Sequence, residues 1–380
     1  MTLPLPPSTA PVPVPDVAPY ARAVGRAMAY VHRAVGAAGA PSAEMSLGPG
    51  FGRSFDGARA RGRLVAALGV DPGFDLGGEA FSAMVSLVLL APGGEPELVR
   101  RLARQVEACR WQRRYRFLPG PGGLPADTDC TALTLGALHD AGLLTAAGLR
   151  AGARELLRAA APAAGLPRQR AADREGGGVR PGVFMVYWGD RKEPGTLPRG
   201  PKQDPVACAN ALYALLLADL TGCGEARGVA DATVGHLAEH LSSGRFRCGT
   251  RYYPSPDAFL YAVSRLCARF PDAAGPLTAP ARRALERTGA GAPAVPGSVL
   301  ETALRVLAAD HLGVTAGQDE RRARLARAQR PDGSWPAAAY YRMGRLPVYF
   351  GSAYLTTVFA LSALRTARPA PTVPAPRTGE

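Results

Sequence analysis

Helical periodicity dominates this sequence: apolar residues recur at spacings of three and four along most of its length, and the alternation typical of β-strands is nearly absent. A spacing of three and four places apolar side chains along one face of a helix. The chain is therefore expected to be all-α. The predicted helices span residues 17–35, 56–68, 78–90, 96–109, 129–141, 145–160, 205–220, 226–241, 256–269, 280–287, 299–312, 319–328 and 352–366.

The length of 380 residues, of which 47% are hydrophobic, is enough to bury one large core. Both ends are poor in core-forming residues, since the first fifteen residues include six prolines and the last segment alternates Pro, Thr, Ala and Arg. We therefore expect a disordered Pro-rich tail over 1–16, one helical domain over 17–366 and a second disordered Pro-rich tail over 367–380.

The sequence contains neither a secretory signal nor a membrane span that we can identify. The N-terminal tail lacks a basic start followed by an apolar run, and the longest apolar stretch, 80–91, is shorter than the roughly 20 residues that cross a bilayer. We expect a cytoplasmic protein. Its net charge of +14 would attract a phosphorylated substrate or an anionic membrane surface, so peripheral membrane contact stays open. Nucleic acid is not expected as a partner, because no basic stripe interleaved with aromatics is present.

Metal-binding signatures are weak. The six cysteines lack CxxC spacing, and among the five histidines only His236 and His240 lie at the spacing of metal ligands on one helix face. We predict no metal site, and the two histidines are expected on a solvated helix surface.

The predicted helices alternate in character from the middle of the chain onward. Every second one is unusually apolar and rich in small residues, whereas the helices between them carry charge on one face. The apolar segments begin at Thr131, Ala207, Ala258 and Ala353. This alternation favours an inner ring of buried helices inside an outer ring, a single-domain (α/α)6 toroid of helical hairpins. A helical solenoid would show the same alternation, but aromatic-rich loops before the inner helices favour closure around one mouth.

Two carboxylates precede one of these apolar helices, in the segment LPADTDCTAL from Leu124 to Leu133. The helix dipole favours their ionised form, so a useful acid there needs an apolar cavity that raises its pKa. Asp129 would then carry a labile proton, with Asp127 accepting charge from a partner and Cys130 as a weak hydrogen-bonding neighbour. Simple capping of the helix is the alternative.

Aromatic and basic residues cluster in the loops that lead into the later helices. Rings that face a cavity can stabilise a carbocation, and guanidinium or ammonium groups can hold a diphosphate; the alternative is that the rings only fasten the loops. Arg191 belongs to the same basic cluster, and Asp204 can also be interpreted as a helix-start residue. The candidates for substrate binding are Phe184, Tyr187, Trp188, Arg199, Lys202, Asp204, Tyr252, Tyr253 and Tyr349.

Two segments resemble motifs of the squalene-hopene and oxidosqualene cyclase superfamily, the class II terpene cyclases. DTDCTA at 127–132 looks like the acidic motif in which the middle aspartate protonates an alkene or epoxide. Gln329, Gly333 and Trp335 match one glutamine–tryptophan repeat, which we interpret as a structural clip. The resemblance implies an α/α toroid with Asp129 as general acid and Asp127 and Cys130 as its tuning neighbours.

The same resemblance implies a function: cyclisation of a prenyl substrate, started by protonation and without a redox cofactor. A diphosphate-bearing sesqui- or diterpenoid suits the basic charge and size of the chain, and Mg²⁺ would assist if a diphosphate is bound. These cyclases usually pair this domain with a second helical domain, which another subunit or a homodimer would have to supply. The alternatives are a non-catalytic toroid that binds a prenyl ligand or a partner protein, and a carbohydrate-active enzyme on an α/α barrel.

Overall fold

The computed structural model describes residues 20–366 except 37–38, 93, 121–122, 163–178, 190–191, 223, 290–296 and 345. The helices are α1 Ala21–Ala34, α2 Gly57–Leu68, α3 Phe81–Leu90, α4 Pro96–Glu107, α5 Thr128–Asp140, α6 Ala146–Leu157, α7 Pro205–Leu217, α8 Gly224–Ser242, α9 Pro256–Arg269, α10 Gly275–Gly289, α11 Val299–Leu312, α12 Gln318–Arg327 and α13 Ala353–Arg365. All the predicted helices are present. The largest difference is the start of α10, because Pro280 lies inside the helix rather than in its first turn.

Six helices form a closed inner ring. Each of α3, α5, α7, α9 and α11 packs against the next in this series, and α13 packs against both α11 and α3. The contact between α13 and α3 closes the ring, which a solenoid would leave open. Outside it, α4 packs on α3, α6 on α5 and α7, α8 on α7, α10 on α9 and α11, α12 on α11 and α13, and α1 on α13. The predicted (α/α)6 toroid is therefore confirmed.

The two rings differ in how their helices are buried. In the inner helix α5, every residue from Thr128 to Leu138 is buried. In the outer helix α4, burial is confined to one stripe, which consists of Leu98, Val99, Leu102, Ala103 and Val106. A helix that is apolar on all sides belongs inside a protein, whereas an amphipathic one covers it. The alternation in the sequence therefore reports the position of each helix in the toroid.

Short strands at the ends of helices are the part that sequence periodicity missed. β1 Glu44–Ser46, β5 Tyr349–Gly351 and β4 Ala339–Arg342 form an antiparallel sheet in the order β1-β5-β4. β2 Arg110–Trp111 and β3 Arg114–Tyr115 form a separate hairpin. Strands of two to four residues are too short to display an alternating pattern. The small sheet still matters, because β4 and β5 lead into α13 and line the cavity described below.

The segment around Trp335 fastens the last hairpin of the toroid. Trp335 is fully buried, and its Nε1 donates to the carbonyl oxygen of Leu325 in α12 at 2.7 Å. Its backbone N–H donates to Thr357 Oγ1 in α13 at 3.1 Å. Gln329 Nε2 donates to the carbonyl oxygen of Ala23 in α1 at 2.9 Å. These contacts join α12, α13 and α1, as expected for a structural clip.

Two further predictions concern the ends of the chain and membranes. The Pro-rich segments 1–16 and 367–380 lie outside the described residues. None of the described helices combines the length and the apolarity that crossing a bilayer requires.

Candidate active site

A largely apolar cavity lies where the N-terminal ends of α3, α5 and α7 meet the loops before α7 and α9 and the strands β4 and β5. It encloses about 660 Å³, including the space open to solvent at its mouth. Its wall consists of Phe81, Phe117, Leu124, Asp127, Asp129, Cys130, Val186, Tyr187, Arg199, Ala207, Tyr252, Tyr253, Tyr341, Arg342, Met343, Gly344 and Phe350. A concave apolar site with a few convergent polar groups is typical of small-molecule binding.

Asp129, in the first turn of α5, is held by side chains from other elements and not by its own helix. It is 8% exposed. Asn210 Nδ2, from α7, donates to Asp129 Oδ1 at 2.8 Å, and the Tyr253 hydroxyl, from the loop before α9, donates to Asp129 Oδ2. Burial raises the pKa of Asp129 to about 6, although both hydrogen bonds act in the opposite direction. The arrangement suits a carboxyl group that changes protonation near neutral pH.

Asp127 performs the capping that the sequence left open as an alternative. It is the N-cap of α5, and its Oδ1 accepts a hydrogen bond from the backbone N–H of Cys130 at 2.8 Å. Burial, followed by the charge of Asp129, raises the pKa of Asp127 to about 7. Because the charge of one carboxylate disfavours ionisation of the other, the two groups titrate as a coupled pair.

Cys130 forms a neutral part of the cavity wall. Burial raises the pKa of its thiol well above the usual range, and the neighbouring Asp127 adds to the effect. A thiol needs to be ionised to act as a nucleophile. Its thiol also forms a side-chain hydrogen bond with Asp127, so Cys130 is a neutral hydrogen-bonding neighbour of that carboxyl group.

The aromatic wall includes rings that the sequence predicted and rings that it missed. Tyr187, Tyr252 and Tyr253 line the cavity as predicted. Tyr341 and Phe350 belong to the aromatic-rich loops of the sequence analysis without having been selected as candidates, and they line the cavity as well; the missed rings are Phe81 and Phe117. Tyr341 stacks on Phe350 at 4.9 Å between ring centroids, and Phe81 meets Tyr341 edge-on at 5.0 Å. The cavity wall is therefore rich in aromatic rings, whose faces carry partial negative charge.

Three predicted aromatic residues do not line the cavity. Phe184 is fully buried in the main core, where its carbonyl oxygen accepts from Cys208 Sγ at 3.3 Å. Trp188 packs under the guanidinium of Arg114, 4.3 Å from its ring centroid. Tyr349 precedes Phe350 on β5, and successive side chains of a strand point to opposite faces. The sequence indicates a loop for these two rings, where side chains have no fixed alternation, and Tyr349 was the predicted ring, whereas Phe350 is the one that lines the cavity.

The predicted polar residues of the loop before α7 have different positions. Asp204 is the N-cap of α7 and also accepts from the backbone N–H of Tyr252 at 3.1 Å, so it holds that loop without lining the cavity. Lys202 contributes a backbone carbonyl that accepts from the N–H of Val186 at 2.7 Å, and it is also absent from the wall. Arg199 does line the cavity. Arg191 lies outside the described residues.

A second cation in the cavity wall, Arg342, was not predicted. Arg342 is half-buried on β4, and its Nε and Nη2 donate to the carbonyl oxygens of Arg251 and Thr250 at 3.0 and 2.8 Å. These partners orient the guanidinium without neutralising it. Together with Arg199, it makes part of the cavity wall positively charged. Helical periodicity could not have indicated that Arg342 faces the cavity, because this residue lies on a strand of four residues.

The described part of the chain contains no group of three or more His, Cys, Asp or Glu side chains arranged to hold a metal ion. His236 and His240 lie on α8, where burial lowers the pKa of each to about 4. The expectation of a solvated surface was wrong for His240, which is 8% exposed and packs edge-on against Phe259.

Comparison with known proteins adds to this picture. No protein-family model matches the chain. Over 164 residues it is 29% identical to drimenol cyclase drtB from Aspergillus calidoustus, a match that covers 43% of this chain and only 29% of that relative.

Solved structures resemble the chain over a larger part of its length. The type II terpene cyclase MstE from Scytonema is 15% identical with a TM-score of 0.56, and the match covers 90% of this chain and 97% of MstE. The ent-copalyl diphosphate synthase from Streptomyces platensis is 20% identical with a TM-score of 0.50, over 75% of this chain and 49% of that one. The fold is therefore that of the class II terpene cyclases.

Proposed function

We propose that this protein is a class II type terpene cyclase in which Asp129 is the general acid. The observation that carries the proposal is the environment of that carboxyl group: it is buried in the wall of an apolar, aromatic cavity and has a pKa raised to about 6. An acid with a pKa near the working pH combines a protonated population with useful acidity. The fold shared with terpene cyclases and the partial likeness to drimenol cyclase support the same reaction class.

The reaction starts when Asp129 transfers its proton to the terminal alkene or epoxide of a folded prenyl chain. On an alkene, a C–H bond forms at the expense of the π bond, and the neighbouring carbon becomes a tertiary cation. Internal double bonds then attack this cation in turn, and loss of a proton from carbon ends the sequence. The rings of Tyr187, Tyr252 and Tyr341 stabilise the migrating charge through their negative faces.

We further propose that the substrate has an anionic head group, held by Arg199 and Arg342. Guanidinium groups suit phosphate and carboxylate oxygens alike. A diphosphate is the head group favoured by the net charge of +14. MstE has been solved with geranylgeranyl dihydroxybenzoate as its substrate, so a prenylated aromatic acid is the second head group to test.

Mg²⁺ would be held largely by the substrate in this proposal. The cavity wall offers two cations, and the carboxylates Asp127 and Asp129 are already engaged by Cys130, Asn210 and Tyr253. Phosphate oxygens and water would therefore supply most of the ligands of Mg²⁺. Peripheral membrane contact and a second subunit or homodimer stay predictions.

The test is product analysis after incubation with farnesyl diphosphate, geranylgeranyl diphosphate, geranylgeranyl dihydroxybenzoate, squalene and oxidosqualene. Wild-type protein should cyclise at least one of them, and Asp129→Asn should lower turnover by at least about 100-fold with unchanged helicity. Asp140→Asn is the matched control, because Asp140 is at the far end of the same helix. Undiminished turnover by Asp129→Asn would contradict the acid role. Binding of a prenyl ligand without product from any substrate would favour the non-catalytic toroid.

A further inference from the structure

Behind Asp129 lies a second, smaller cavity that shares no wall residue with the first. It is lined by Val85, Val88, Leu133, Val206, Asn210, Tyr261, Ala262, Arg265 and Tyr340. Two of its polar members lead toward Asp129: Asn210 bonds Asp129 directly, and Arg265 bonds Asn210. Neither residue lines the proposed substrate cavity, so both act on the chemistry only through other groups.

Arg265, on α9, is a half-buried cation that forms no ion pair with a described residue. Its guanidinium lies 4.7 Å from the ring centroid of Tyr213 and 5.9 Å from that of Tyr261. Its Nη1 donates to Asn210 Oδ1 at 3.3 Å, while Asn210 Nδ2 donates to Asp129 Oδ1 at 2.8 Å. An inner-ring arginine is thus connected to the proposed acid through one amide.

The direction of that amide follows from the chemistry of arginine. A guanidinium only donates hydrogen bonds, so the atom of Asn210 that faces it has to be the carbonyl oxygen. The NH₂ group therefore faces Asp129, and a proton on Asp129 Oδ1 pointing at that group would meet another hydrogen. In the acid form the proton is then on Oδ2, because the Tyr253 hydroxyl beside it can turn and accept a hydrogen bond, whereas the NH₂ group can only donate.

We propose that Arg265 is a positioning residue: by fixing the direction of the Asn210 amide, it determines which oxygen of Asp129 carries the catalytic proton. Without the guanidinium, the amide can turn and present its carbonyl oxygen to Asp129. That oxygen would accept the acid proton, hold it away from the substrate and stabilise the neutral form. This inference rests on the proposed function, because it presumes that Asp129 donates a proton.

Other titratable groups surround Asp129, and they remain in place when Arg265 is changed. They are Asp127 and Cys130 on α5, Asp204 and Cys208 at the start of α7, Tyr253 before α9, and Tyr340 on β4. Arg265 itself lowers the pKa of Asp129, in the same direction as the two hydrogen bonds. Its removal should therefore raise that pKa.

The experiment measures kcat against pH for Arg265→Met, with Arg265→Lys and Arg269→Met as companions. Activity requires protonated Asp129 and falls as pH rises through its pKa. In Arg265→Met we expect this fall to move up by about half a pH unit or more, while kcat at the low-pH plateau drops about tenfold. Arg265→Lys, which keeps the charge, should recover part of both effects. Arg269→Met, an exposed position on the same helix, should behave like wild type.

A double-mutant cycle tests whether the effect passes through the amide. Asn210→Ala should shift the pH profile in the same direction, and adding Arg265→Met to it should produce only the smaller further shift that is due to the lost charge of Arg265. Additive shifts, or a loss of rate in Arg265→Met with an unmoved pH profile, would overturn the inference. The proposed function fails separately, if wild-type protein gives no cyclised product or Asp129→Asn stays active. If Arg265→Met does not fold, Arg265→Lys and Asn210→Ala still provide the comparison.

Discussion

At the scale of residues, two carboxyl groups two positions apart have different tasks. Asp127 caps α5, whereas Asp129 turns away from its own helix and bonds Asn210 and Tyr253. The acidic motif was visible in the sequence, so the pair could be predicted. The partners of Asp129 could not be predicted, because Asn210 and Tyr253 are 81 and 124 residues away in the sequence and no local pattern marks them.

Asp127→Asn tests this division of tasks. Asparagine caps helices as well as aspartate does, so α5 should be retained. Loss of a neighbouring negative charge favours ionised Asp129 and lowers its pKa. We expect reduced but measurable turnover, with the high-pH loss of activity moved to lower pH in a kcat profile. Abolished turnover in Asp127→Asn together with activity in Asp129→Asn would mean that Asp127 is the acid.

At the scale of elements, helices were predictable and strands were not. Ten or more residues of helical period report both a helix and its buried face, which is why α5, α7, α9 and α13 were correctly assigned to the inner ring. The strands β4 and β5 have four and three residues. Successive side chains of a strand point to opposite faces, so an error of one position places a side chain on the wrong face. For this reason Tyr349 was predicted to line the cavity, although its neighbour Phe350 is the residue that lines it.

Phe350→Ala and Tyr349→Ala form a matched pair for this assignment. Phe350 is buried, stacks on Tyr341 and lines the cavity, whereas Tyr349 is half-buried and does not. We expect Phe350→Ala to lower turnover about tenfold or to change the product pattern, because a stabilising ring and its stacking partner are disturbed. Tyr349→Ala should leave both unchanged in the same product analysis. Lower turnover in Tyr349→Ala together with unchanged turnover in Phe350→Ala would mean that Tyr349, and not Phe350, contacts the substrate.

At the scale of the whole molecule, ring closure brings distant segments into one cavity and buries several acids that form no ion pair with a described residue. The cavity wall draws on residues from Phe81 to Phe350. Asp127 and Asp129 both have pKa values raised by burial, and the pKa values of Glu79 and Asp204 are raised for the same reason. A folded protein that holds protons more tightly than its unfolded chain loses stability as the pH rises.

The stability consequence can be measured by urea unfolding. The contribution of Asp129 is fully present below about pH 4 and is lost as pH rises through its folded-state value of about 6. Relative to wild type, Asp129→Asn should therefore gain stability between about pH 4 and pH 7, on the order of 2 kcal/mol. Glu79, which does not interact with Asp129, cancels in this comparison, whereas Asp127 loses the part of its raised pKa that is due to the charge of Asp129. An identical pH dependence of wild type, Asp129→Asn and the control Asp140→Asn would contradict the burial of an unpaired acid.

The central claim is that Asp129 starts the reaction by giving a proton to carbon. The most direct measurement is turnover in D₂O with a substrate that ends in an alkene and that wild-type protein accepts, followed by mass spectrometry of the product; an epoxide would take the deuteron on oxygen and lose it by exchange. Because Asp129 exchanges its proton with solvent, we expect the product to carry one deuterium at the carbon that is protonated first. Asp129→Asn should not form this deuterated product. A cyclised product that carries no deuterium, formed with release of the head group, would contradict it, because the reaction would then begin by ionisation rather than by protonation.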